Sequence, residues 1–168
     1  MSRKDYGVSV QNTNMLILAA SEFLESQNVT HYFTLTYPRR VSWEARHGQF
    51  REWLDAIEWM QRRPLGWFRA DEVRFSGLGF PEIPEHHHGL LVDTDHLFCR
   101  TAEGLWRTCG DARVEKYERH GGAIPYCLKH AFSGCGDWEI GGKSLCIFDH
   151  AILGATHHER FHRSSTGL

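Results

Sequence analysis

Two rhythms of apolar residues organise this chain. Between Ser42 and Pro64, the residues Phe50, Trp53, Leu54, Ile57 and Met60 recur at three- and four-residue steps, the spacing that gathers them on one face of a helix. Ser42 is a capping residue, Glu44 falls in the first turn where the helix dipole favours a carboxylate, and Pro64 and Gly66 end the run. A helical pattern also covers Met15–Leu24 behind Thr13 or Asn14, while residues 1–12 are polar and read as loosely ordered. A third helix is predicted from about Ile124 to Phe132, with Pro125 in the first turn, where a missing N–H costs little. A weaker one spans 94–106. The second rhythm has period two. Thr30–Tyr37 is rich in aromatic and β-branched residues and closes at Pro38; strands are also predicted over 67–75 and 86–93, and Ala112–Tyr117 alternates like an edge strand. A Gly/Pro-rich loop from Gly77 to Pro84 separates the two middle strands, and Ser144–Phe148 is a short apolar piece.

This mixed order predicts one α+β domain, a central antiparallel sheet flanked by helices, with the helices on one side. It spans 1–168, with a core of about 13–148, a polar N-terminal arm (1–12) and a His/Arg-rich tail (149–168). A chain of 168 residues, 41% hydrophobic and with six Trp and ten Phe, is long enough to bury a real core. No apolar run reaches membrane-spanning length, and Met1–Asp5 is not followed by the apolar stretch of a secretion signal, so the expectation is a protein of the cytosol without a membrane partner. Five cysteines, an odd number with no C-x-x-C pair, argue for reduced thiols over disulfides or a thiolate zinc site. A formal net charge of −2 is not the footprint of a general nucleic-acid coat, but leaves room for a local basic groove.

Chemistry concentrates in Glu85-His86-His87-His88-Gly89-Leu90-Leu91-Val92. Side chains alternate across a strand, so His86 and His88 share one face and His87 takes the other. Two neutral imidazoles one strand repeat apart can grip one divalent metal.

Three pieces in order, FTLTYPR (33–39) closing a strand, HHHGLLV (86–92) on a strand and IPYCLKH (124–130) on a helix, resemble the motifs of the HUH endonucleases: rolling-circle replication initiators, relaxases and single-strand transposases. The resemblance covers roughly residues 30–132 and is nearest to the replication-initiator branch with a single tyrosine. It implies a ferredoxin-like or RRM-like core and metal-dependent nicking and joining of single-stranded or hairpin origin DNA. His86 and His88 would hold Mg²⁺ or Mn²⁺. The family takes a third ligand from upstream, and Glu72 fits, since Phe68, Ala70 and Glu72 share a strand face that Asp71 does not. Tyr126 would be the nucleophile that forms a 5′-phosphotyrosine, with Lys129, three residues on, steadying the developing charge. Tyr37, Arg39 and Arg40 would contact DNA, and the segment 39–74, with eight Arg, no Lys and six interleaved carboxylates, offers guanidinium groups for phosphate or a solvated helix face. Host helicase and polymerase are the partners the resemblance implies, with unwinding supplied by such a partner or by a part of the protein beyond this chain. The sequence departs from the pattern in three places: His87 stands where the family has an apolar residue, His130 where it often has an aromatic one, and the 73–85 loop is longer than usual. His130 is assigned no role.

Three other readings stand beside this one. The same chemistry serves a transposase or a mobilisation relaxase. An inactive DNA-binding domain would keep the fold. And His158-Glu159-Arg160-Phe161-His162 spells the H-E-x-x-H of zinc metallopeptidases, though its polar flanks, Thr156 and His157 before and Arg163 to Ser165 after, are unlike a buried zinc helix.

Overall fold

Strand β3 (His86–Val92) organises the molecule, because the sheet runs β4-β1-β3-β2-β5 with every neighbour antiparallel. The computed structural model describes residues 10–39, 41–72, 86–132 and 137–145. Around β3 lie β1 (Val29–Thr36), β2 (Gly66–Glu72), β4 (Asp111–Lys116) at one edge and β5 (Trp138–Gly142) at the other. The helices are α1 (Val10–Ser26), α2 (Trp43–Gln61), α3 (Cys99–Trp106) and α4 (Ala123–Phe132).

The expected α+β architecture is present, but the helices are not on one side. Phe33 and Leu35 of β1, Trp67 of β2, Leu91 of β3 and Val114 of β4 pack with Phe50, Trp53, Leu54 and Ile57 of α2 and Trp106 of α3. The alternate residues Phe68, Ala70 and Leu90 pack with Leu24 of α1 and Ile124, Cys127 and Leu128 of α4. The sheet is therefore buried on both faces, which explains why every residue of β2 is buried and only His86 of β3 is not. Gly89 sits where the Phe33 ring and the Phe68 carbonyl meet β3, so any Cβ there would collide with both.

The element ends follow local chemistry. Ser42 Oγ accepts the Ala45 N–H at 3.2 Å at the start of α2, and Arg62, at φ 52°, turns the chain out of it. α1 begins earlier than its predicted cap, at Val10, so Thr13 and Asn14 lie inside it and residues 10–12 are helical. α3 begins later than predicted, because Thr94 is held elsewhere: its hydroxyl meets Thr30 Oγ1 at 2.5 Å and His31 Nδ1 at 2.8 Å. β5 was not predicted at all, while β4 is the edge strand expected. Cys99, Cys109 and Cys127 are free thiols. No helix among the described residues is long and apolar enough to cross a membrane. Arg40, the loop from Gly77 to Pro84, most of the 144–148 piece and the H-E-x-x-H tail lie outside the described residues.

Candidate metal centre

Register alone assembles the site. β2 pairs with β3 so that Glu72 stands opposite His86 and Ala70 opposite His88, while Thr34 of β1 flanks His88 from the other side. All these residues share the α4 face. The Glu72 carboxylate oxygen Oε2 is the hub: His86 Nε2 lies 2.8 Å from it and His88 Nε2 3.0 Å. The donor atoms of Glu72, His86 and His88 fall within 4.8 Å of one another, so this cluster can hold a metal ion. Two imidazole nitrogens and a carboxylate oxygen suit a first-row divalent ion well. The pairing holds despite the long 73–85 loop, and Asp71 points to the opposite face, as its strand position requires.

The electrostatics keep the donors ready. Burial pushes the Glu72 carboxyl up, but the hydrogen bonds from His86 and His88 outweigh it and hold the pKa at about 2. Burial lowers His88 to about 4 against the raising effect of Glu72, so the ring is the neutral form that metals bind. Its other nitrogen, Nδ1, faces two hydroxyls, Tyr32 at 3.0 Å and Thr34 at 3.1 Å. A hydroxyl can donate or accept, so this pair serves His88 whichever ring nitrogen carries the proton.

α4 brings Tyr126 to the same place. Its ring stands edge-on to His88, with centroids 4.9 Å apart, and edge-on to Tyr32 at 6.5 Å. It is 40% exposed, so the phenol sits beside the cluster yet stays open to a ligand. A cleft of about 590 Å³ lined by Tyr32, Lys116, Tyr117, Gly122 and Tyr126 opens next to it. Lys129 is exposed on the same helix. His130, given no role from sequence, also enters: its Nε2 is 3.8 Å from Glu72 Oε2, and its ring stacks on His88 at 5.2 Å. The signal was present in the sequence, since His130 lies one helical turn beyond Tyr126.

The first-motif residues behave differently. Arg39 is exposed. Tyr37, expected at the DNA surface, is fully buried with its hydroxyl between His87 Nε2 (2.9 Å) and the Arg46 carbonyl (3.1 Å), so its ring has no face left for a base. It shares a face with Phe33 and Leu35 and therefore continues the α2-side core. Part of the arginine-rich segment is likewise drawn inward, while Arg62 and Arg63 are exposed. Arg46 pairs with Asp71 at 3.0 Å, Arg69 lies fully buried 3.4 Å from Asp71, and Arg51 pairs with Glu139. Arg51 keeps its side chain 41% exposed, but the Arg46 and Arg69 guanidinium groups are not a solvated face. They sit behind the metal cluster, where His87 Nδ1 donates to Asp71 Oδ1 at 2.6 Å. Desolvation lowers His87 to about 4 despite that carboxylate, and Asp71 is held below the usual carboxylate range because its partners outweigh its burial.

No protein-family model, curated protein or solved structure matches this chain.

Proposed function

We propose that this protein cleaves and rejoins single-stranded DNA with a bound divalent metal, as the HUH replication initiators do. The observation that carries the reading is the convergence of three segments distant in the chain, β2, β3 and α4: the Tyr126 ring lies 4.9 Å from His88, whose Nε2 meets the Glu72 oxygen shared with His86. In this reading Glu72, His86 and His88 would hold the ion, which would supply Lewis-acid polarisation of the scissile phosphate. The Tyr126 oxygen attacks phosphorus and gives up its proton. The P–O3′ bond breaks, the leaving 3′ oxygen takes a proton, and the 5′ side stays on Tyr126 as a phosphotyrosine. Attack by a free 3′-hydroxyl reverses the step and joins the strand. A free phenol titrates near pH 10, so Tyr126 needs nearby positive charge to ionise. Lys129 is the cation this reading assigns to the developing charge, and Arg39 remains the exposed contact for the strand. The cleft beside Tyr126 offers the Tyr32 and Tyr117 rings for bases next to the cut. Whether the target is a replication origin, a transposon end or a transfer origin depends on DNA context.

The test is covalent capture. The protein is incubated with manganese and a randomised pool of single-stranded and hairpin oligonucleotides, and adducts are separated under denaturing conditions and read by peptide mass spectrometry. The expected result is a nucleotide adduct on Tyr126, lost in Tyr126→Phe and on chelation. Cleavage that survives Tyr126→Phe, or no adduct from any pool, overturns the reading.

A further inference from the structure

We propose that His130 is a fourth metal ligand, so that the ion clasps α4 to the sheet and the site takes a transition-metal dication in preference to magnesium. The inference rests on the metal reading of the Glu72 cluster and not on strand cleavage.

Three imidazole Nε2 atoms point at one carboxylate oxygen: His86 at 2.8 Å, His88 at 3.0 Å and His130 at 3.8 Å from Glu72 Oε2. Two donors bound to one ion at roughly 2.1 Å each can be no more than about 4.2 Å apart. Each imidazole meets that bound against Glu72; the donors that already lie within 4.8 Å of one another are those of Glu72, His86 and His88, so the His130 ring has to close on the other two imidazoles as the ion binds. Ring positions agree. Two imidazoles at neighbouring positions of one ion have centroids roughly 4.5–5.2 Å apart, allowing a ring centre about 3.2 Å from the metal. His86 and His88 are 4.7 Å apart, and His88 and His130 5.2 Å. The His130 side chain is only 14% exposed, so it faces the sheet and not solvent.

The two consequences follow from chemistry and from connectivity. Magnesium prefers oxygen ligands and keeps its waters, while three imidazoles with one carboxylate favour manganese, cobalt or zinc. And His130 is the one member of the set on a helix. It lies one turn from Tyr126, with ring centroids 4.6 Å apart. An ion bound by both the sheet and His130 therefore fixes the helix that carries the phenol, and Tyr126 is positioned by metal binding before any DNA arrives.

The experiment uses the metal alone, without DNA. Apo protein is titrated with manganese and followed by electron paramagnetic resonance, and the coordinated imidazole nitrogens are counted by pulsed methods. The expected wild-type count is three. His130→Ala and His130→Gln should each remove one nitrogen and weaken manganese binding about tenfold or more, and a large excess of magnesium should not displace the manganese. A wild-type count of two, unchanged affinity in both variants, or ready displacement by magnesium overturns the proposal. Far-UV circular dichroism reports whether the variants fold; if one does not, the wild-type nitrogen count decides by itself. A failed cleavage assay would leave these results standing, and a count of two would leave the cleavage reading standing on Glu72, His86 and His88.

Discussion

His88 shows how one side chain can be prepared for two states. With the Glu72 carboxylate ionised, its Nε2–H donates to Glu72 and Nδ1 accepts from a hydroxyl; a metal on Nε2 would move the proton to Nδ1, which would then need an acceptor. Tyr32 and Thr34 meet both demands. Burial raises the Tyr32 phenol to about 12, so it stays protonated and polar in both states, and Thr34 Oγ1 bonds to it at 3.1 Å. The two hydroxyls are redundant: if one is removed, the other still reaches Nδ1. The double variant Tyr32→Phe, Thr34→Val should therefore weaken manganese binding about tenfold, while each single variant costs less than half of that in free energy. Calorimetric titration of the three proteins measures it. Equal affinity in the double variant and the wild type would show that Nδ1 needs no partner.

At the scale of elements, the strand pair β2–β3 is a two-sided device. Its α4 face carries Glu72, His86 and His88, and its α2 face carries Asp71, His87 and Arg69, one residue out of step. Each backbone register that sets the metal cluster is thus also held by the ion pairs behind it. Asp71 is the centre of that second network, with Arg46 at 3.0 Å, Arg69 at 3.4 Å and His87 at 2.6 Å, all within a buried layer. Asp71→Ala would leave two buried guanidinium groups facing a void, and such losses cost about 3–5 kcal/mol. Chemical denaturation should report a loss of that size, and an unchanged midpoint would mean that Glu139 takes up the charge of both arginines. Much of this was legible in the chain. Alternation alone separates His86 and His88 from His87, and Glu72 from Asp71, because the period of a strand is two whatever its neighbours do. Helical spacing likewise puts Phe50, Trp53, Leu54 and Ile57 inward. Other features were not legible. Nothing in Gly89-Leu90-Leu91-Val92 says which face a helix will cover, and here both faces are covered. β5 is Trp138-Glu139-Ile140 followed by two glycines, too short an alternation to stand out. The first motif of the resemblance gives Tyr37 to DNA, although the steps Phe33, Leu35, Tyr37 already mark it as core. His130 was read against the aromatic residue of a family motif, when its distance of four from Tyr126 was the better guide.

For the molecule as a whole, these buried polar layers predict how it responds to acid. His31, His87 and His88 are all buried, on both faces of the sheet, and each is lowered to about 4, with desolvation the largest cause. In the unfolded chain a histidine titrates near 6.5. Between those values the unfolded chain binds protons that the folded one refuses, so stability falls as pH drops from about 6.5 to about 4 and is flat above that window. The carboxylates act lower. Glu72 is depressed to about 2 and Asp71 in the same direction, so they contribute stability that is fully present above the unfolded carboxyl range and disappears as pH falls through their folded values. Acid sensitivity should therefore begin with the histidines, well above the pH at which carboxylates titrate. Thermal unfolding in a chelator, to keep metal linkage out, should show a constant midpoint from pH 8 to 7 and a drop of roughly 10 °C or more by pH 4.5. Manganese should raise the midpoint at pH 7 and do so less at pH 4.5, since protons then compete for His88 and the other donors. If the chelated protein melts at the same temperature at pH 7 and pH 4.5, the three rings are charged in the native state, and the neutral, metal-ready form of His88 is not what the fold maintains.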